Sequence, residues 1–268
     1  MLERYLLQMG RIGAGHLPVL FSINIVAMLV ITYAFSVWRG DVDPVFPYIS
    51  TSGDSRPESC IFSMFLNICA FFIALIVILR YHLVAELLSQ DSGQEDHHIS
   101  LTNRLSLFAG LLGALGMFIV ANWQETAVVR VHLTGALLSF GSGCIYMLIQ
   151  SFICFKMFPK FVGKRIVYIR LTIAIASTFC FFLALFLGLA ASWTFHNHFP
   201  DLPTPRPWSR KFWPMPVAEW TLAILHMSFL LSYSREFEKI RVEFKVKTIV
   251  QHLDHSPISN SNLDLLNI

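Results

Sequence analysis

Apolar residues in this chain gather into six long stretches, 17–38, 60–79, 105–123, 131–155, 171–195 and 216–234, parted by short polar segments. About 20 predominantly apolar residues are needed for a helix to cross roughly 30 Å of hydrocarbon, and each stretch meets that requirement. The first, 17–38, holds no charged residue, and no small-residue cleavage site precedes Trp38-Arg39-Gly40, so it reads as a retained helix rather than a signal peptide. The pattern predicts an all-α membrane protein: a six-transmembrane-helix bundle over 1–247, followed by a disordered polar tail over 248–268.

Six spans place both chain ends on one side of the bilayer, and the basic residues indicate which. With cytosolic termini, the inside segments carry Arg4, Arg11, Arg80, Arg104, Lys156, Lys160, Lys164, Arg165, Arg170, Arg235, Lys239, Arg241, Lys245 and Lys247. Arg39, Arg56, Arg130, Arg206, Arg210 and Lys211 fall on the other side. Basic residues near span ends favour the cytosolic face, so both termini are expected to be cytosolic.

Composition agrees with a membrane protein, at 55% hydrophobic residues, 14% charged and 24 Phe. The net charge of +3 points to the anionic cytosolic leaflet as partner, beside the bilayer itself. No basic run with interleaved aromatics suggests nucleic acid. Cys69, Cys144, Cys154 and Cys180 lie within spans and Cys60 at an outer boundary, so neither a disulfide framework nor a metal site is indicated, and no cofactor is implied. Cys154, at the inner end of its span, reads either as a palmitoylation site or as a small buried residue.

The first outer loop, 39–59, is rich in Pro, Ser and Gly with Asp41, Asp43, Asp54 and Glu58, and predicts ordered turns. The third outer loop, 196–215, combines Pro200, Pro203, Pro205, Pro207 and Pro214 with Trp208, Phe212 and Trp213, a composition suited to the headgroup interface. The inner loop 80–104 contains the polar run 91–98, which is expected to be mobile. His97-His98 and His196/His198 read as weak metal signals.

Small residues recur where helices are to pack. Gly135, Ser139 and Gly143 follow one another every four residues in the fourth span, which lets a neighbouring backbone approach one face. Gly110, Gly113 and Gly116 in the third span and Ala184, Gly188 and Ser192 in the fifth form similar rows. These predict seams within the bundle, with a homodimer interface as the second reading.

Polar residues at membrane depth are the functional candidates, because hydrocarbon offers them no hydrogen-bond partner. Asn67, Asn122, Gln124, Glu125, His132 and Glu219 all map to the outer part of their spans, flanked by Glu58 and Arg130. Sharing one level, they read as an outer polar network, either structural or built for a ligand, a proton or a lipid headgroup. Gln150 and His226 lie deeper and read as bundle residues satisfied by neighbours. No nucleophile stands beside a base in the sequence, so catalytic residues are not assigned and an enzyme is not expected.

Three segments carry a family resemblance: Pro47-Tyr48-Ile49-Ser50 with Gly53, Pro57-Glu58 and Phe62; Ile119 to Glu125 with His132, Gly135 and Phe140; and Ala218-Glu219-Trp220. Together they resemble the damage-regulated autophagy modulator (DRAM) family within the wider Frag1/DRAM/Sfk1 group. That resemblance implies a six-helix lysosomal or late-endosomal protein that promotes autophagy, in some members linked to programmed cell death, with no catalytic residue. One departure is visible: the family loop usually reads Ile-Ser-Asp-Thr-Gly, whereas Thr51 stands here in the Asp place. Other readings remain: a lipid-binding or transport protein using the outer polar cluster, or a lipid-organisation or lipid-remodelling factor of the Golgi or plasma membrane. Tyr81-His82-Leu83-Val84 and Leu265-Leu266 are poor sorting signals, the first abutting a helix and the second lacking an upstream acid.

Overall fold

In the computed structural model, residues 14–92, 97–198, 214–240 and 242 are described. Most of the proline-rich loop, the run 93–96 and the polar tail lie outside them, as do the side chains of His196 and His198. The chain forms α1 (His16–Arg39), a 3-10 turn (Thr51–Gly53), α2 (Glu58–Ser92), α3 (His97–Asn122), α4 (Val129–Lys156), α5 (Lys164–His198), α6 (Pro214–Leu231) and a short α7 (Ser234–Phe237). Six helices are long and apolar enough to span a membrane, and no strand occurs among the described residues.

Each long helix packs against its neighbours in sequence, and α1 closes the ring against α6. The connections after α2, α3 and α4 are too short to recross the bundle, so α2 to α5 alternate in direction, as in other antiparallel bundles. Gly15 lies against Glu238, which brings both described chain ends to one end of the bundle, the terminal end; the loop between α1 and α2 covers the opposite, distal end. The apolar stripes are split between two environments. On α1, Phe21, Ile25, Met28 and Leu29 are buried, while Leu20, Ile23 and Val30 face outward, as expected where lipid is the outer solvent.

The small-residue row of α4 is resolved into a seam within the chain. A Cβ on Gly116 would overlap the backbone of Ser139 and lie 2.7 Å from the carbonyl oxygen of Gly135. Along the same contact, a Cβ on Gly113 would lie 3.5 Å from Ser139 O. Gly143 leaves room for His226 of α6, since a Cβ there would stand 2.6 Å from its Nε2. Gly188 of α5 faces Met215 instead.

The inner loop expected over 80–104 is corrected by the structure. Helix continues through Ser92 and resumes at His97, so most of 80–104 is helical. The reason lies in the residues that this extension carries inward. Arg80 of α2 and Arg170 of α5, counted in the sequence among loop and span-flanking charges, are fully buried. Both form ion pairs with Glu236 of α7, Arg170 at 2.8 Å. Both guanidinium groups also stand over the ring of Tyr233, at 4.9 and 4.4 Å from its centroid. Arg80 Nε donates to Gln150 Oε1 at 3.0 Å, and Gln150 Nε2 donates to Ser106 Oγ at 2.8 Å. Arg170 donates to Ser232 and to the Cys154 thiol. Five helices are thereby tied together at the terminal end, and Gln150 is a satisfied bundle residue as the sequence suggested. Cys154 is wholly buried in the same cluster, which agrees with the small buried residue and removes the access that palmitoylation requires.

Candidate functional site

The distal end is sealed by the loop 40–57. α1 stops at Gly40, whose left-handed backbone (φ 76°) allows Gly40 N–H and Asp41 N–H to reach back to Val37 O and Ser36 O. The chain then crosses the mouth of the bundle and is held from several sides. Tyr33 donates to Pro44 O at 2.8 Å and Ser36 Oγ to Ser52 O at 2.6 Å. From α6, Trp220 Nε1 donates to Pro47 O at 2.8 Å, and Glu219 Oε2 accepts from Ile49 N–H at 3.2 Å. From the turn after α3, Glu125 Oε2 accepts from Ser50 Oγ at 3.0 Å and from Thr51 Oγ1 at 3.3 Å, and Thr126 N–H donates to Asp54 Oδ1 at 3.0 Å. Gly53 rests against Phe62 of α2 with no space for a side chain.

Thr51, the departure from the family-like loop, has a local reason. Its hydroxyl donates to Glu125, whereas an Asp there would set a second carboxylate within hydrogen-bond distance of the first. Replacing Glu125 with Ala removes the Ser50 and Thr51 anchors and leaves that of Thr126 N–H to Asp54. Because hydrogen bonds to charged groups contribute about 1.5–3 kcal/mol in buried settings, amide exchange over 48–54 is expected to rise on the order of tenfold, measured by hydrogen–deuterium exchange in micelles.

Beneath the loop lies a cavity of about 620 Å³ that runs down the middle of the ring. Its floor and walls are apolar, with Ile25, Met28, Leu66, Met117, Leu222 and Leu230 among them. Its acidic groups lie at the distal roof, Glu125 and Glu219 with Tyr48 and Ser50 of the loop and His132, while His226 and Tyr146 are polar residues of the wall further down. Tyr48 is 8% exposed, and its hydroxyl has no hydrogen-bond partner. Burial pushes its phenol well above the ordinary tyrosine range, and the charges of Glu219 and Glu125 push it further the same way. His132 Nδ1 lies 2.6 Å from Trp123 O; a carbonyl only accepts, so that nitrogen carries a proton.

The outer polar residues named from sequence therefore divide into groups. Glu125 and Glu219 meet at the roof with His132 nearby in the same wall. Asn67 and Asn122 instead pair with one another, at 2.9 and 3.3 Å, across the outward side of α2 and α3. Glu58, fully buried at the start of α2, faces Arg39 Nε at 3.1 Å. Gln124 contributes its backbone carbonyl to Val128 N–H. Pro47, Tyr48, Ile49, Ser50 and Gly53 form the covering loop, and Pro57 leads into α2. Sequence reasoning named Tyr48 in the family-like loop but did not place it beside the carboxylates, and it did not find the cavity, because spatial proximity has no signal along the chain.

Comparison with known proteins covers nearly the whole bundle. A family described as Frag1/DRAM/Sfk1/Cwh43P N-terminal domain matches residues 13–240. The chain is 33% identical to the human protein named DNA damage-regulated autophagy modulator protein 2, over 95% of this chain and 96% of that one. To human DNA damage-regulated autophagy modulator protein 1 it is 39% identical, over 62% of this chain and 68% of that one. A zebrafish (Danio rerio) protein named modulator of macroautophagy TMEM150B is 32% identical over 64% of this chain and 70% of its own length. No solved structure matches the chain.

Proposed function

The chain belongs to the Frag1/DRAM/Sfk1/Cwh43P family, and from that premise we propose that it is a non-enzymatic multi-pass protein of the lysosomal or late-endosomal membrane that promotes autophagy. The observation that carries this reading is the convergence of the family-like segments: the loop at 47–58, the turn at Glu125 and Glu219-Trp220 close one cap over the bundle. Relatives that match over nearly the whole chain bear the name autophagy modulator, so the reading rests on the cap and on the bundle alike. A non-enzymatic role is favoured because the Ser50 and Thr51 hydroxyls are engaged as donors that hold the loop to Glu125. A link to programmed cell death, which the resemblance also implies, is part of the proposal.

Cytosolic termini complete the topology. Exposed Lys156, Lys160, Lys164, Arg165, Arg235 and Lys239 crowd the terminal end, where an anionic leaflet would attract them. A second reading, a lipid-binding or transport protein, is favoured by one observation: the 620 Å³ cavity with its polar roof.

The test is co-localisation of the protein, tagged at its C-terminus and expressed near its native level, with lysosomal, Golgi and plasma-membrane markers, together with autophagic flux after deletion. Residence in acidic organelles with reduced flux is expected. Steady residence at the Golgi or cell surface with unchanged flux would overturn the proposal and favour a role in lipid organisation.

A further inference from the structure

The cavity is mostly apolar along its length, with His226 and Tyr146 in its wall, and acidic at its distal end. Among the described residues, neither Glu125 nor Glu219 forms an ion pair with Lys, Arg or His; the ion pairs there are those of Arg39, Arg80 and Arg170 with other acids. Glu219 receives Ile49 N–H and Glu125 receives Ser50 and Thr51, so the roof holds two carboxylates matched only by neutral donors. The hydroxyl of Tyr48 lies buried beside them without a partner. A buried carboxylate pair of this kind is stabilised most by a cation, and an unpartnered hydroxyl by a further polar group. Of the two histidines in the wall, neither of which is ion-paired to the carboxylates among the described residues, His132 sets Nδ1 against Trp123 O and His226 sets Nδ1 against Leu222 O and Ser177 Oγ. His226 Nε2 is buried without a partner, so His226 is not the fully satisfied residue the sequence suggested.

The dimensions fit a chain as well as a head. From Glu219 to Leu230, both in the wall, α6 rises roughly 16 Å at 1.5 Å per residue. One leaflet supplies about 15 Å of hydrocarbon, the depth of a single extended lipid chain. Access is lateral: Leu133 and Leu137 of α4 and Leu189 of α5 line the cavity and are also 55%, 49% and 60% exposed on the outside of the bundle. They lie on the distal halves of their helices, so the gap between α4 and α5 opens to the distal leaflet at the level of the carboxylates.

We infer that the cavity binds a single-chain lipid with a protonated amine head, which enters between α4 and α5 and sets its ammonium group between Glu125, Glu219 and the Tyr48 hydroxyl. The inference deepens the lipid-binding reading and is independent of the autophagy reading.

The experiment uses the full-length protein in lipid nanodiscs and three photoreactive, alkyne-tagged probes of equal chain length: octadecylamine, octadecanol and octadecanoic acid. Cross-links are mapped by mass spectrometry. The amine is expected to label cavity residues of α4, α5 and α6, with labelling competed by untagged octadecylamine. Losing a charge-assisted hydrogen bond lowers affinity by roughly tenfold or more, and Glu219→Gln and Glu125→Gln are each expected to reduce amine labelling by that factor without reducing alcohol labelling. Ala184→Phe, which narrows the cavity away from the roof, is expected to reduce all three. Should either carboxylate variant fail to fold, the ranking of the three probes on the wild type decides. Equal cavity labelling by amine, alcohol and acid overturns the ammonium assignment while leaving a lipid cavity. Labelling confined to outward residues such as Leu20 and Ile23, with none in the cavity, overturns the lipid-binding reading as well.

Discussion

Glu236→Ala is expected to cost the protein most of its folded population. Two fully buried guanidinium groups, Arg80 and Arg170, share that one carboxylate, and its loss leaves both charges in the interior. Removing one partner of a buried pair typically costs about 3–5 kcal/mol. Because Glu236 is 26% exposed and water can replace part of its role, the lower end of that range applies. Even about 3 kcal/mol is a large part of the roughly 5–15 kcal/mol that stabilises a typical domain. Thermal unfolding in micelles, followed by size-exclusion chromatography after heating, should show a large fall for Glu236→Ala. Glu238→Ala, two residues on and exposed, is the control and should be near wild type. Equal behaviour of the two would mean that the cluster does not hold the terminal end together. Arg170→Lys is expected to fall between them, since a single ammonium cannot bond Ser232, Cys154 and Glu236 at once while stacking on Tyr233.

Gly116→Leu is expected to open the α3–α4 seam. Any Cβ at 116 overlaps backbone atoms of Ser139 and Gly135, which cannot turn aside as a flexible side chain can, so the helices must separate. Overpacking in well-filled interiors costs about 1–3 kcal/mol, and a rigid backbone contact belongs at the upper end. Gly113→Ala, one turn away on the same face, places its methyl at 3.5 Å from Ser139 O, an ordinary contact, and should be tolerated. The pair separates close packing at a particular residue from a general dislike of side chains in the seam. Similar melting temperatures for both variants would argue against the approach of α3 and α4 described above.

Much of the architecture was legible in the sequence because a bilayer imposes a simple demand. A span must be apolar for about 20 residues, and its backbone must satisfy its own hydrogen bonds as a helix. The six stretches meet that demand without reference to one another, and the stretch at 17–38 became α1 with a one-residue extension at each end. The row Gly135, Ser139 and Gly143 likewise announced a close approach, since small residues at helical spacing have few other uses at membrane depth. Helix ends were less legible. α2 runs on past its apolar stretch: Arg80 turns inward to Glu236, a partner 156 residues away that hydropathy does not register, and Val84, Leu87 and Leu88 pack into the cluster around Ile153 and Cys154.

The sequence by itself determined the number of spans, their small-residue faces, the level at which polar residues gather and the family to which the chain is similar. Each of these follows from local composition set against a solvent of fixed thickness. Which polar residues meet was decided only by the tertiary structure. Equal depth placed Asn67, Glu58, Glu125 and Glu219 together, but helix rotation sends Asn67 outward to Asn122, Glu58 to Arg39 and Glu219 inward beneath Tyr48, where the turn after α3 brings Glu125 as well. Depth is a property of one helix, whereas facing is a property of six packed around a common space, and the cavity exists only in that second arrangement.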